Sequence, residues 1–312
     1  MRKLLSLLFV CIAFFANAYD FMVDGLCYNF LGDSTSVYVV SSNDNSSLSG
    51  ELIIPDNVSY NGVTYKVTEV GYNAFNGCKN ITSLSIGNNI KLIGEIAFQG
   101  CSGITNLYLG ENVKEIGKYA FQVCKNIHEL FIPNSVEVID DGAFMMCTGI
   151  DTISIGNNVK LIGRSAFDMC TSLRNVTIPN SVYVIGDNVF WKNTSLINLI
   201  IGENVASIGE SAFSNCTSLQ NIIALKSTAV DLPYSAIEEV SRNCVVHVRK
   251  GSKWRYQNKT AWFEFPTIIE DAEDFADISG GSGTPIIGDV NGDGSVNAAD
   301  VTIIYNIILG TE

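Results

Sequence analysis

Oxygen-bearing side chains alternate along residues 289–300, near the C-terminal end of the 312-residue chain. Acidic or amide residues at positions 1, 3, 5, 9 and 12, with Gly294 at the sixth, form the pattern of a calcium loop. Carboxylate and carbonyl oxygens are the ligands that calcium prefers, and the glycine permits the sharp turn between them. The sequence therefore predicts Ca²⁺ as a cofactor, with the ligands Asp289, Asn291, Asp293, the backbone carbonyl of Ser295, Asn297 through water, and Asp300.

The residues after this loop predict a short helix that ends at Gly310. Its apolar residues share one face at helical spacing. A helix of this length is marginally stable alone in water, so the face requires a partner. The candidates are the end of the preceding domain, a second copy of the tail, or another protein. This docking face consists of Val301, Ile304, Tyr305 and Ile308.

Loop and helix together resemble one repeat of a type I dockerin, the module that attaches proteins to cohesin-bearing scaffolds. The resemblance implies a cohesin-like partner. The family pattern has two such repeats, whereas this tail has one. A calcium sensor needs a pair of loops that move helices against each other, so a single loop favours a calcium-stabilised docking element.

The central part of the chain repeats the motif Ala-Phe-x-x-Cys at a constant spacing. Each motif is followed by an apolar-x-apolar run that is typical of a short strand. A unit of this size cannot bury its own apolar face, so neighbouring units must stack and share one core. The pattern predicts a solenoid with a ladder of short parallel strands, one per unit, and the Ala-Phe segments as the opposite wall. The evenly spaced phenylalanines are Phe75, Phe98, Phe121, Phe144, Phe167, Phe190 and Phe213.

These repeats resemble the BspA-type leucine-rich repeat, from Leu52 to about Ile269. The resemblance implies a leucine-rich-repeat solenoid and a surface protein, and it leaves the ligand open because members of the family bind different things.

The sequence also predicts the boundaries of the domains. Strand-like runs around Asp24-Gly25 indicate an N-terminal β cap, and clustered aromatic residues after the last repeat indicate a C-terminal cap or a carbohydrate-stacking platform. An acidic, then Gly/Ser-rich stretch indicates a linker. The predicted segments are a signal peptide (1–18), N-terminal cap (19–50), solenoid (51–223), C-terminal cap (224–270), linker (271–288), and calcium loop with helix (289–312).

The first eighteen residues have the composition of a secretory signal: two basic residues, an apolar run from Leu4 to Phe15, and Ala16-Asn17-Ala18 as a cleavage site. The residue before Cys11 is Val10, which argues against a lipoprotein. The sequence therefore predicts a secreted or cell-surface protein without membrane insertion. After removal of Arg2 and Lys3, the other basic residues face 32 acidic ones, a net charge near −15. Such a charge argues against a nucleic-acid partner.

Six of the nine cysteines occupy one position of the repeat, so these equivalent residues should stack about 4.8 Å apart with parallel side chains: Cys78, Cys101, Cys124, Cys147, Cys170 and Cys216. Parallel Cβ vectors are poor geometry for a disulfide, and free cysteine behaves as a small buried hydrophobe. The spacing predicts a buried ladder of thiols, with Asn193 in place of one cysteine. Cys27 and Cys244 lie in the two predicted caps and remain unassigned.

The sequence contains no constellation that predicts catalysis. Its two histidines, His128 and His247, lie far apart and outside any metal-ligand spacing. Nucleophile elbows, zinc motifs and phosphate-binding loops are missing from the sequence. Carboxylates such as Glu111 and Glu203 recur as surface charges rather than as a paired acid and base. The chain is predicted not to be an enzyme.

The outward side chains of the strands offer a surface for binding. The residue between the two apolar strand positions points away from the core. Tyr108 and Phe131 occupy this position in adjacent units, with Asn106 and Glu129 beside them. An exposed aromatic pair is typical of a binding anchor, although tolerated apolar substitution is the alternative.

Two functions follow from these patterns. The first is an exported, non-catalytic binding or adhesion protein that holds a protein or glycan ligand on the solenoid face and docks or self-associates through its tail. The second is a dockerin-bearing component of a cohesin-based, cellulosome-like assembly that degrades polysaccharides.

Overall fold

The computed structural model describes residues 19–42 and 48–272. These residues form a β-solenoid with repeats of about 23 residues, which confirms the predicted fold class. Each repeat contributes one turn, and equivalent residues of successive turns lie next to each other along the axis. The walls of the solenoid are a ladder of longer strands, a ladder of two-residue strands, and a wall of Ala-Phe turns.

The first ladder follows the predicted apolar-x-apolar runs, with all its strands parallel. It is divided into three sheets, with breaks in strand pairing after Tyr108 and after Ser154. Its strands are β4 (Gly50–Ile54), β7 (Ile81–Ile86), β9 (Asn106–Tyr108), β11 (Glu129–Phe131), β13 (Thr152–Ser154), β15 (Asn175–Ile178), β17 (Asn198–Ile201), β19 (Asn221–Ala224), β20 (Val245–Val248) and β21 (Thr267–Glu270).

A second parallel ladder runs along another wall, so the prediction of one strand per unit was wrong. Each of its strands consists of the isoleucine of an Ile-Gly or Ile-Asp pair and the residue before it, and the ladder continues the sheet of the N-terminal strands. The close approach of successive backbones leaves no room for a side chain at Gly94 and Gly117, directly after two of these strands. The strands are β8 (Leu92–Ile93), β10 (Glu115–Ile116), β12 (Val138–Ile139), β14 (Leu161–Ile162), β16 (Val184–Ile185) and β18 (Ser207–Ile208).

The Ala-Phe wall is held by stacked rings and by hydrogen bonds between turns. Successive phenylalanines are almost parallel, from Phe75 and Phe98 with centroids 5.2 Å apart to Phe190 and Phe213 at 6.0 Å. The backbone N–H groups of these residues donate to the next turn, as Phe121 does to the Ala143 carbonyl at 2.8 Å. Burial of an aromatic ring contributes several kcal/mol. This column is therefore a main source of stability.

Each Ala-Phe turn contains two residues with left-handed backbone, four positions apart. Several are not glycine, including the β-branched Ile96 (φ 50°) and Val123 (φ 65°), for which this conformation is costly. Their N–H groups donate to the next turn, Ile96 to the Lys118 carbonyl and Val123 to that of Met145. Stacking therefore imposes the turn geometry on residues that do not favour it.

The predicted thiol ladder is confirmed, since all eight cysteines of the described residues are buried and none of them forms a disulfide, Cys27 and Cys244 included. The structure also gives each repeat thiol from Cys101 onward a partner. Cys147 Sγ donates to the Phe121 carbonyl of the preceding turn at 3.0 Å. Asn193 makes the same bond through Nδ2, to the Phe167 carbonyl at 2.9 Å. Asparagine therefore fits this position because it also supplies a buried donor.

Two hairpins lie at the N-terminal end of the solenoid, one in the predicted cap and one inserted after β4. Strands β1 (Phe21–Val23) and β2 (Leu26–Phe30) pair through a two-residue turn at Asp24-Gly25, as predicted. Strand β3 (Ser36–Val40) joins β2 to β6 (Val63–Val70), against which β5 (Asn57–Tyr60) folds back. These strands cover the first turn of the solenoid, so its core is not open to water.

The C-terminal cap is closed by aromatic residues from two short helical segments. Helix α1 (Lys253–Gln257) contributes Tyr256, and the 3-10 helix Trp262–Glu264 contributes Trp262; both side chains are fully buried. A further 3-10 helix spans Tyr234–Ile237. Core closure is thus the role of these two rings. Within residues 19–42 and 48–272, no helix has the length and apolarity needed to cross a membrane.

Candidate functional site

The outward side of the first ladder, here called the strand face, carries a column of side chains in register. From β4 to β21 the column reads Ile53, Ser85, Tyr108, Phe131, Ser154, Thr177, Ile200, Ile223, His247 and Ile269. Tyr108 and Phe131 retain 50% and 40% of their surface. The neighbouring Asn106 and Glu129 are also exposed. The structure thus places all four predicted binding residues on one open surface.

A groove of about 650 Å³ lies on this face between β4 and β11. It coincides with the break between the first two sheets, where Leu107 is only half-buried although Leu84 and Leu130, at the same repeat position, are buried. Strand pairing is missing at this step. The lining residues are Glu51, Ser83, Leu84, Ser85, Thr105, Asn106, Leu107, Tyr108, His128, Glu129 and Phe131.

Several residues of the groove and of the outward column were missed by the sequence analysis. Glu51 and Ile53 lie in register with Ser83 and Ser85, but their separation in sequence is longer than one repeat, because the β5–β6 hairpin is inserted between them. The repeat spacing therefore did not align them with the column. His128 was noted only for its distance from His247; its Nδ1 lies 3.9 Å from a carboxylate oxygen of Asp151 on the exposed surface.

The groove is polar and acidic around an aromatic centre. Two carboxylates, Glu51 and Glu129, line it, together with amide, hydroxyl and imidazole groups. Aromatic faces and nearby carboxylates both attract cations, and the rings present apolar area with little loss of side-chain freedom. The arrangement suits a ligand with a cationic group beside an apolar surface.

The other half of the strand face is closed. Ile200 and Ile223 continue the column of Tyr108, yet their exposed fractions are 3% and 0%. The expectation from the sequence that outward strand side chains offer a binding surface therefore fails in this half. The side chains alternate as predicted, so their direction alone does not set their exposure.

A chain of side-chain hydrogen bonds runs beside these isoleucines. Asn198 Nδ2 donates to Asn175 Oδ1 at 2.7 Å, and Asn221 Nδ2 donates to Asn198 Oδ1 at 2.8 Å. His247 continues the chain, with Nε2 3.2 Å from Asn221 Oδ1 and Nδ1 2.9 Å from Asp271 Oδ1. Both ring nitrogens face oxygen atoms, so His247 links Asn221 to Asp271. Asp271, the first residue of the predicted linker, is held on the strand face.

Burial keeps the titratable groups of the core in their neutral forms over a wider pH range. Burial raises the pKa of Cys147 and of Cys216 to about 12, which keeps both thiols protonated and unreactive. Burial also raises the pKa of Asp168 to about 6, against the opposing effect of Lys192. Asp168 Oδ1 is buried without a hydrogen-bond partner in the structure. These groups lie on the Ala-Phe wall, away from the groove on the strand face.

The carboxylates singled out in the sequence do not form an acid–base pair. Glu111 and Glu129 are exposed, and Glu203 pairs with Arg249 at 3.0 Å. Within the described parts of the chain, no group of three His, Cys, Asp or Glu side chains is placed to hold a metal ion.

The predicted calcium ligands and the docking helix fall in residues 273–312, outside the described residues, as does the predicted signal peptide. Their assignment therefore rests on the residues themselves. Side-chain and backbone oxygens alone make up the ligand set, which is the chemistry of a hard divalent cation.

Known proteins resemble this chain in both of its parts. Residues 56–170 and 138–242 match the model of the BspA type leucine rich repeat region, in 6 copies. Residues 287–312 match the dockerin type I domain. Type I dockerins bind calcium and engage cohesins, and both families are typical of secreted or cell-surface proteins. No curated protein is significantly similar to the chain.

Solved structures that are similar to this chain include a leucine-rich repeat protein of T. pallidum, which is 27% identical with a TM-score of 0.56 over 62% of this chain and 87% of that one. A leucine-rich repeat protein from Bacteroides ovatus is 22% identical with a TM-score of 0.42, over 78% and 81%. One from Bacteroides capillosus is 27% identical with a TM-score of 0.39, over 43% and 96%.

Leucine-rich-repeat proteins of this kind are generally non-catalytic binding proteins. The repeat model covers more than half of this chain, and the structure shows the solenoid that such repeats build. The protein belongs to the BspA-type leucine-rich repeat family.

Proposed function

We propose that this chain is an exported, non-catalytic binding protein whose ligand occupies the groove around Tyr108 and Phe131. The observation that carries the proposal is the exposure of this aromatic pair in a groove on the strand face. Large rings that keep about half their surface in water contribute little to the core, and burial of both by a ligand would contribute several kcal/mol.

The charge of the groove favours a protein segment with an exposed Lys or Arg over a neutral glycan. Glu51 and Glu129 flank the rings, and the whole chain is strongly acidic. A basic side chain gains from both carboxylates and from the ring faces. Association with such a segment weakens as salt is raised, whereas stacking of a neutral sugar does not.

The test is binding of the full chain to immobilised extracellular proteins and glycans, compared with the variant Tyr108→Ala/Phe131→Ala. We expect the variant to lose at least tenfold in affinity with an almost unchanged melting temperature, because both rings are solvent-exposed. A matched control is Tyr72→Ala/Tyr183→Ala, which removes two exposed tyrosines outside the strand face. Equal affinity of wild type and groove variant would refute the proposal.

The predicted domain organisation supports separate sites for ligand binding and for attachment. We assign ligand binding to the solenoid (51–223) between its caps (19–50 and 224–270), and attachment to residues 289–312. In the attachment segment, calcium would neutralise three aspartates and fix the start of the docking helix.

A second function, recruitment into a cohesin-bearing assembly, is favoured by the dockerin match at residues 287–312. It predicts calcium-dependent capture of the full chain by an immobilised cohesin. Capture should fail in EGTA and in the variant Asp289→Ala/Asp293→Ala, and should be indifferent to Tyr108→Ala/Phe131→Ala. If calcium drives formation of a dimer of this chain in place of cohesin capture, self-association is the function of the tail.

A further inference from the structure

The C-terminal cap contains a stretch whose charge is opposite to that of the whole chain. No aspartate or glutamate occurs from residue 240 to residue 263, whereas the chain as a whole has 32 acidic residues. Arg242, Arg249 and Lys259 each form an ion pair with an acidic residue outside this stretch. The basic residues of the stretch are Arg242, Arg249, Lys250, Lys253, Arg255 and Lys259.

Helix α1, within this stretch, exposes an aromatic ring between two cations. Lys253, Trp254 and Arg255, here called the α1 patch, are all exposed, and Trp254 keeps 60% of its surface. The Arg255 guanidinium lies 5.2 Å from the centroid of the Trp254 ring. The rings that close the cap are those of Tyr256 and Trp262, which are fully buried. Trp254 is therefore available to a partner, and Trp and Arg are the residue types that contribute most to protein interfaces.

The groove on the strand face carries the complementary groups. Its aromatic pair, Tyr108 and Phe131, is exposed, and Glu51 and Glu129 line it. Carboxylates attract the side chains of Lys and Arg, and the faces of aromatic rings attract the same cations. An exposed tryptophan can also stack on either ring of the pair. Each side chain of the α1 patch thus has a suitable partner in the groove.

The groove and the α1 patch lie too far apart to meet within one molecule. The first ladder runs from β11, at the edge of the groove, through β13, β15, β17 and β19 to β20, which precedes α1. These steps of about 4.8 Å each add up to about 24 Å, which is more than a side chain can span. Contact therefore requires two copies of the chain. Because the two surfaces differ, the interface is heterologous, and every copy offers both halves of it.

We propose that the groove of one copy receives the α1 patch of a second copy, so that the chain associates with itself. Trp254 packs against Tyr108 and Phe131, while Lys253 and Arg255 pair with the carboxylates of the groove. This inference rests on the proposed binding function of the groove and names a second copy of this chain as the source of the basic segment.

The test is sedimentation velocity of the full chain over a range of concentrations at low salt. EGTA is present, to exclude calcium-dependent association through residues 289–312. We expect the wild type to associate, and the association to weaken as salt is raised, because salt screens exposed charges. The groove variant, Tyr108→Ala/Phe131→Ala, and the patch variant, Lys253→Ser/Arg255→Ser, should each associate at least tenfold more weakly.

A mixture of these two variants tests the pairing directly. The groove variant keeps an intact α1 patch, and the patch variant keeps an intact groove. The mixture should therefore form a 1:1 dimer at concentrations where each variant alone is monomeric. The matched control, Lys66→Ser/Lys91→Ser, removes two exposed lysines elsewhere with the same change in net charge and should associate as the wild type does. Melting temperatures close to that of the wild type show that the variants are folded.

Three results would overturn this inference: a wild type that stays monomeric, association that both variants retain, or a mixture that stays monomeric although the wild type associates. In the last two cases another surface joins the copies. If the wild type is monomeric but the wild type and the patch variant bind an immobilised extracellular protein equally, only this inference fails and the proposed function of the groove stands. Loss of self-association together with all external binding would refute both.

Discussion

The two halves of the strand face have the same backbone and the same repeat but opposite surfaces. In the N-terminal half, Tyr108 and Phe131 stand half in solvent beside a groove. In the C-terminal half, Ile200 and Ile223 occupy the same column and are buried beside a chain of asparagines. Position in the repeat therefore fixes only the direction of a side chain. Strand pairing and cover decide whether that side chain is available to a partner.

The break in pairing between β9 and β11 accounts for much of this difference. Where strands are joined from β15 to β21, side-chain amides line up closely enough to bond one another. At the break, a core leucine becomes half-exposed and the surface opens into a groove. The candidate binding site thus coincides with one of the two breaks in pairing along this wall.

The largest expected contrast between the halves is in the core leucines. Leu199→Ala removes a fully buried side chain and should lower the free energy of unfolding by about 3 kcal/mol. Leu107→Ala, at the equivalent position but half-buried in the groove, should cost about 1 kcal/mol. Urea denaturation of both variants measures the difference. Equal losses would mean that the groove does not reach the core.

Asp168 makes a pH-dependent contribution to the free energy of unfolding. This contribution is removed before the smaller effects of the asparagine substitutions are compared. Burial raises the pKa of this carboxyl to about 6 from its ordinary 3.8, so its contribution to stability is present below pH 3.8 and is lost as the pH rises through 6. Asp168→Asn should therefore raise the free energy of unfolding by about 1–3 kcal/mol at pH 7.5 and hardly at pH 4. Denaturation of both proteins at the two pH values measures this; an equal effect at both would show that the carboxyl is solvated.

The asparagines offer the smallest contrast. Asn198→Ala leaves Asn175 and Asn221 without the bonds they make to its side chain and should cost about 1–2 kcal/mol. Asn106→Ala alters the same repeat position on the open surface and should change stability by less than about 0.5 kcal/mol. Thermal unfolding in the Asp168→Asn background resolves the two. A cost for Asn106 as large as for Asn198 would remove the distinction between the halves.

The repeat made the solenoid and its thiol ladder predictable, because a constant spacing fixes which side chains share a column. It did not reveal the second strand ladder, since two residues per turn are too few to show alternation. The place of Ile53 in the outward column was not predicted, because the inserted β5–β6 hairpin interrupts the repeat spacing. The burial of Ile200 could not be predicted either. Its surroundings on the strand face include β19, β20 and Asp271, which come later in the sequence, and a local pattern does not show how residues far apart in sequence pack.

The hydrogen-bonded thiols have a consequence for how this protein must be made. Once the turns have stacked, each repeat thiol from Cys101 onward is buried and donates a hydrogen bond to a backbone carbonyl. Oxidants in solution therefore no longer reach these thiols. In the unfolded chain, the same cysteines are exposed to solvent and can be oxidised. Refolding yield should thus fall steeply in oxidised glutathione, while the finished protein tolerates it. The risk is confined to the interval between synthesis and stacking.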